Sequence, residues 1–193
     1  MKKILAIAVI AIMATVGANA QEQGKLNYMV RIGANYATLA GIDDAKYKFD
    51  FEWDIVFNYC FTDQFAMGLE WNDEYLGCKS KTTDKKIKMH YASFPLLAKY
   101  YVTPWMALQA GPQLGILTSA KDDGVSVRSA YHKVDFSLPM GFSLEPQISS
   151  NGDAIVIDFR YRLGLTNILK ESSDNIRNTA FILTVGYKTD FLK

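Results

Sequence analysis

From Lys46 to Tyr59 every odd position is aromatic or aliphatic: Tyr47, Phe49, Phe51, Trp53, Ile55, Phe57 and Tyr59. The even positions are Lys46, Lys48, Asp50, Glu52, Asp54, Val56 and Asn58, of which only Val56 is apolar. A period of two predicts a strand, because a helix would scatter alternate residues around its axis. The run is about twice the length of an ordinary strand of roughly 5–6 residues.

The alternation recurs along the chain. A first strand sets Tyr28, Val30, Ile32, Ala34 and Tyr36 against Arg31, Gly33 and Asn35, and a third sets Phe65, Met67, Leu69 and Trp71 against Ala66, Gly68, Glu70 and Asn72. A fourth begins with Ile87, Met89 and Tyr91 opposite Lys88, His90 and Ala92, then loses its parity at Phe94-Pro95-Leu96-Leu97. Pro95 has no N–H for a ladder bond, which predicts a bulge there and leaves Lys99 without an assigned face. In a fifth strand Met106, Leu108, Ala110, Leu114 and Ile116 oppose Gln109, Gly111, Gln113 and Gly115. The sixth runs from His132 to Glu145 with even positions apolar, the seventh from Ile155 to Leu165 with odd ones, and the eighth from Ala180 to Lys188 with Phe181, Leu183, Val185 and Tyr187. Eight is an even number and the smallest size common among outer-membrane barrels.

Leaving out the first, at 40–45, the connections are short at 61–64 and 101–104, medium at 146–153 and long at 77–86, 118–129 and 167–178, with Pro104 in one tight turn and Asn151-Gly152-Asp153 in another. With both termini periplasmic, the short connections face the periplasm and 77–86, 118–129 and 167–178 face outward. These outward loops, free of the constraint of facing lipid, are where a partner is expected to bind.

The first twenty residues, MKKILAIAVIAIMATVGANA, carry two lysines, an apolar run and a small-residue end, the pattern of a cleaved secretory signal. Residues 1–20 therefore read as a signal peptide, 21–193 as the barrel domain, and Gln21 as the new N-terminus. No later stretch is long and apolar enough for a helical span, a silence that says nothing about membrane strands.

Two architectures fit secreted alternating strands, and the polar set decides between them. The non-aromatic face carries Arg31, Lys46, Lys48, Lys88, Lys133, Arg160, Arg162 and Lys188 with Asp50, Glu52, Asp54, Glu70, Glu74, Asp135, Glu145 and Asp158. These charges pair inside a narrow barrel, and turning them toward lipid would be costly. The apolar face then meets lipid, with Tyr28, Tyr36, Tyr59 and Tyr187 toward strand ends as girdles. The fold class is all-β: an eight-stranded antiparallel transmembrane up-and-down β-barrel in the outer membrane, read as a monomer. Its charged interior argues for a closed barrel, although Gly33, Gly68, Gly111, Gly115, Gly141, Gly164 and Gly186 on the same face leave room for a small passive pore as the alternative.

Charge and chemistry narrow the function further. The chain is nearly neutral, +1 falling to −1 when Lys2 and Lys3 leave with the leader, so no general electrostatic attraction to nucleic acid or to an anionic membrane is expected. Cys60 and Cys78 fall at opposite ends of the third strand, beyond the span of a disulfide. Asp50, Glu52 and Asp54 suggest a calcium or glycosidase-like set, but the same face carries cations, and ion pairing is the simpler account. His90 reads as an interior network member. His132, with Ser129 and Asp135 nearby, has the residue types of a lipid-hydrolysing triad. On a regular strand, however, His132 faces away from the other two. No catalytic, cofactor or metal residue is assigned, and a lipid-modifying enzyme stands as a further alternative to a binding barrel.

The stretches FPLLAKYY at 94–101, ALQAGPQLGIL at 107–117, VDFSLPMGFSLE at 134–145, AIVIDFRYRLGLTNI at 154–168 and FILTVGYK at 181–188 resemble the Bacteroidetes outer-membrane β-barrel, or porin-family, proteins. The resemblance implies outer-membrane lipids, lipopolysaccharide and the barrel insertion machinery as surroundings, with an unidentified extracellular partner, and leaves the activity open. Such chains commonly end on an aromatic soon after a Gly-Tyr-Lys-like sequence. Here Thr189 to Lys193 follow, which makes Phe191 the candidate assembly signal.

Overall fold

The computed structural model describes residues 21–83, 85–149, 152–171 and 174–191. Residues 1–20, read in the sequence as a signal peptide, Asn151 of the expected tight turn and the tail Leu192-Lys193 lie outside the described residues. Eight long strands are present: β1 Leu26–Ala40, β2 Lys48–Cys60, β3 Phe65–Ser80, β4 Lys86–Thr103, β5 in two segments (Met106–Ala110 and Gln113–Asp122), β6 Val134–Leu144, β7 Ala154–Gly164 and β8 Arg177–Asp190. Each pairs antiparallel with its chain neighbours, and β1 closes the barrel on β8 from Asn27 opposite Asp190 to Ala40 opposite Arg177. The break in β5 falls at Gly111-Pro112, where a Cβ on Gly111 would lie 2.0 Å from the Leu96 carbonyl oxygen. Turns at 61–64, 104–105 and 145–153 close one end, beside both ends of the described chain. The opposite end carries the connections 41–47, 81–85, 123–133 and 165–176.

The alternation sorts as expected on seven strands: Ile32, Phe49, Phe51, Leu69, Phe136 and Leu183 face outward, while Arg31, Glu52, Glu70, Asp135, Asp158 and Arg162 are buried within the barrel. The fourth strand departs from the reading. Met89 and Tyr91 are buried, Lys88 is exposed, and His90 lies on the outer face, so odd positions point inward from Met89 through Ser93, Leu97, Lys99 and Tyr101 to Thr103. Pro95 makes no bulge and stands in register with Gln113. The irregularity lies higher, where His90 opposes Ser119 and Tyr91 opposes Leu117, leaving Thr118 as the extra residue. Lys46 and Lys133, read as interior, are exposed at the loop end, and Asp50 is half-buried.

The reversal has a physical cause. Near the loop end the lumen is filled by an apolar cluster that includes Leu39, Leu76, Met89, Tyr91, Leu117 and Ile182, sealed by Tyr131, Ile168 and Ile176 from the loops. At that height the inside is apolar and the outside polar, the opposite of the middle of the barrel.

Candidate functional site

The interior is built in tiers. At the turn end Glu145 is buried and accepts from Lys99 Nζ at 2.6 Å, Lys188 Nζ at 2.9 Å, the Tyr101 hydroxyl at 3.0 Å and the Ser143 hydroxyl at 2.7 Å. Two cations around one carboxylate, with both oxygens further satisfied, meet the condition for burying charge without a large penalty. The bulge that Pro95 predicts leaves Lys99 without a face in the sequence; with Pro95 in register, counting straight through from Ser93 places Lys99 inside.

The middle tier is an arginine–carboxylate lattice. Arg31 reaches Asp54 through Nε at 2.7 Å, Asp158 at 3.0 Å and Glu70 at 3.1 Å, while Arg160 grips both Glu70 oxygens at 2.5 and 2.8 Å. Gln109 donates to Asp158 from β5. The planar guanidinium fork allows one arginine to join residues of several strands: Arg31 of β1 joins β2, β3 and β7 in a single set of contacts.

Above it, Arg162 binds Asp135 at 3.0 Å and lies 3.6 Å from Glu74, which accepts from Ser93 at 2.9 Å and from Gln113. Asp135 also takes Asn178 at 2.9 Å and Thr166 at 2.8 Å. Glu52 stands apart. It is buried beside Glu74 in the β2–β3 register, and Asn35 approaches it at 3.4 Å. Among the described residues no cation lies within ion-pair distance of it. The apolar cap closes the lumen above this tier.

The glycines do not widen the lumen. A Cβ on Gly141 would sit 1.9 Å from the Phe159 carbonyl oxygen, so the space beside it is already taken by the neighbouring strand.

The other predicted groups separate. Asp135 is inside the barrel, His132 is exposed outside, and its backbone N–H donates to the Ile168 carbonyl, so Ser129, His132 and Asp135 do not meet. Cys60 belongs to the apolar cluster at the turn end and Cys78 to the cap; both are free and buried. Asp50, Glu52 and Asp54 turn to Lys48, Asn35 and Arg31 respectively. Among the described residues no group of three or more metal-ligating side chains converges.

The outer face holds a polar group that the alternation did not reveal. Asp73 points outward from β3 and accepts from Trp53 Nε1 at 3.1 Å, and His90 Nε2 lies 2.5 Å from its other oxygen. His90 stacks on Tyr75 with ring centroids 4.3 Å apart, and its Nδ1 lies 2.8 Å from the Thr118 hydroxyl supplied by the bulge. That hydroxyl is also 2.9 Å from the His90 carbonyl oxygen, to which it donates. An outward carboxylate at the edge of an apolar band is thereby hydrogen-bonded on both oxygens.

Residues 19–170 match the family described as outer membrane protein beta-barrel domain. The chain belongs to this family. Among solved structures, E. coli outer membrane protein W is 12% identical with a TM-score of 0.53 and covers 89% of this chain and 100% of its own. OprG from Pseudomonas aeruginosa is 13% identical with a TM-score of 0.51, covering 88% of this chain and 97% of its own. Neisserial surface protein A is 13% identical with a TM-score of 0.51, covering 85% and 97%. At such identities the likeness is one of fold: a small eight-stranded outer-membrane barrel. No protein of curated function matches the chain. Family and fold place the protein in the outer membrane, its strands spanning the bilayer.

Proposed function

We propose that the protein is a closed, monomeric barrel that acts through its outward surface and loops, binding an envelope or extracellular partner, and that it neither conducts through its lumen nor catalyses a reaction. The observation that carries this reading is the packed lumen: three tiers of paired charges under an apolar cap. A solute crossing the barrel would have to displace Arg31 and Arg160 from their carboxylates, each loss leaving a buried charge unpaired. The test is single-channel recording of the refolded protein in planar bilayers. The expected trace is flat, and stable conductance steps would overturn the closed barrel in favour of the small pore.

Three further points belong to the same proposal. Residues 1–20 are removed, which intact-mass measurement of the membrane-extracted protein checks. Phe191 is the aromatic signal for the insertion machinery; its N–H donates to the Leu26 carbonyl at 2.9 Å and its ring meets Tyr28 edge-on, as for a residue continuing β8. The C-terminal motifs favour a place in the Bacteroidetes branch of such barrels.

A further inference from the structure

We propose that the outer rim over β3, β4 and β5 is a binding site for the phosphate groups of an outer-leaflet glycolipid, held by Lys46, Lys79, Lys86, Lys88 and Lys121. The inference rests on the outward-surface reading above and names a ligand for it. Its basis is the strand register. Lys46 stands directly opposite Lys79, Lys79 opposite Lys86, and Lys88 opposite Lys121. Like charges directly opposed across a ladder destabilise a sheet. Here three such pairs fall on the outer face of adjoining strands. Among the described residues none of the five lysines lies within ion-pair distance of a carboxylate.

Two of the nearby acids are engaged elsewhere, while Asp123 stands at the rim with its backbone N–H donating to the Lys86 carbonyl. Asp44 is turned to loop donors: the Ser80 hydroxyl at 2.5 Å, the Thr82 hydroxyl at 3.1 Å and the Lys81 and Thr82 amides at 3.2 Å. Asp122 opposes Ile87, a residue packed against the cap, and so belongs to the inner side. Inside the barrel seven carboxylates are offset by six cations, Arg31, Lys48, Lys99, Arg160, Arg162 and Lys188, so the interior nearly balances itself. The rim is positive locally, because the five lysines are gathered there by the strand register.

The height of the rim selects a lipid rather than a soluble anion. Moving up the outer face of β4, the residues are Leu96, Phe94, Ala92, His90, Lys88 and Lys86, and the apolar band on β3 ends at Trp71 and Tyr75 just below Lys79. Aromatic residues mark the level where acyl chains give way to headgroups, and lysine stems can lie along that boundary with their ammonium groups at the phosphates. A glycolipid whose chains lie against Trp71 and Ala92 brings its phosphates among the lysines and relieves their mutual repulsion.

The experiment uses the mature full-length protein refolded into phosphatidylcholine nanodiscs doped with diphosphorylated lipid A or with its dephosphorylated counterpart. Retained lipid is read by native mass spectrometry. The expected result is retention of the phosphorylated lipid alone, weakened by about fivefold for each lysine changed in the series Lys79→Gln, Lys86→Gln, Lys88→Gln, Lys121→Gln. The control Lys133→Gln/Lys170→Gln, also exposed, should retain lipid like the wild type. A folded-versus-boiled gel shift confirms that each variant is a barrel, and the rim variants should fold at least as well as wild type because opposed charges are removed. Equal retention of both lipids, or of the phosphorylated lipid by rim variants and wild type, would overturn the site. So would tripolyphosphate binding as tightly without lipid as the lipid does, because the ligand would then be a soluble polyanion. These outcomes are separate from conductance, so the site and the closed barrel stand or fall independently.

Discussion

Glu70 and Glu52 face the same lumen from adjacent strands in opposite circumstances. Glu70 holds two arginines, so Glu70→Gln removes the charge that both Arg31 and Arg160 need and is expected to cost about 3–5 kcal/mol. Glu52 lies beside Glu74 with Asn35 as a distant donor, and Glu52→Gln is expected to be neutral or stabilising. Urea titration of both variants refolded in vesicles measures the difference; equal losses would mean that the lattice does not discriminate. On the opposite face, Phe51→Arg sets a charge against lipid, with an expected cost of about 2–4 kcal/mol in the same assay.

At the scale of strands and loops, β4 shows what a one-sequence reading can and cannot recover. Alternation reports the contrast between two environments. In β2 and β7 the contrast is lumen charge against lipid, so Asp54 and Arg160 were placed correctly from the pattern alone. Along the upper half of β4 the contrast inverts, since Met89 and Tyr91 line the apolar cap while Lys88 and His90 meet the rim, and the rule that apolar means outward returned the wrong face. The loops that build the cap carry no alternation from which Tyr131 or Ile168 could have been assigned to it. The reversal is measurable: with Cys60→Ala and Cys78→Ala as background, a membrane-impermeant maleimide should label His90→Cys and spare Tyr91→Cys. The loops themselves have an acid-sensitive tie. The Ser80 hydroxyl, then Thr82 and the backbone amides, hold the Asp44 carboxyl below its ordinary range. A lowered folded pKa stabilises above the unfolded value and is lost as pH falls through the folded one. The protection of the Lys81 and Thr82 amides, measured relative to their intrinsic exchange at each pH, should therefore be present at neutral pH and be lost as the pH falls through the lowered range of the Asp44 carboxyl, and in Asp44→Asn it should be weaker even at neutral pH.

For the molecule as a whole, the cap means that one chain is stabilised by two solvents. The strand band gains by facing lipid, whereas Leu76, Met89, Leu117, Tyr131, Ile168 and Ile176 are gathered away from water in the manner of a small soluble core set into the mouth of the barrel. Burial from water carries a heat-capacity signature that burial against acyl chains does not share. Calorimetry of the protein in micelles should accordingly resolve a positive heat-capacity step as the mouth opens, before the strands part. Leu117→Ala or Ile168→Ala should shift that step to lower temperature, with an expected loss of about 2–5 kcal/mol, and leave the later transition in place. Changing acyl-chain length should move only the later transition, so that lipid thickness and temperature act on different halves of the same barrel.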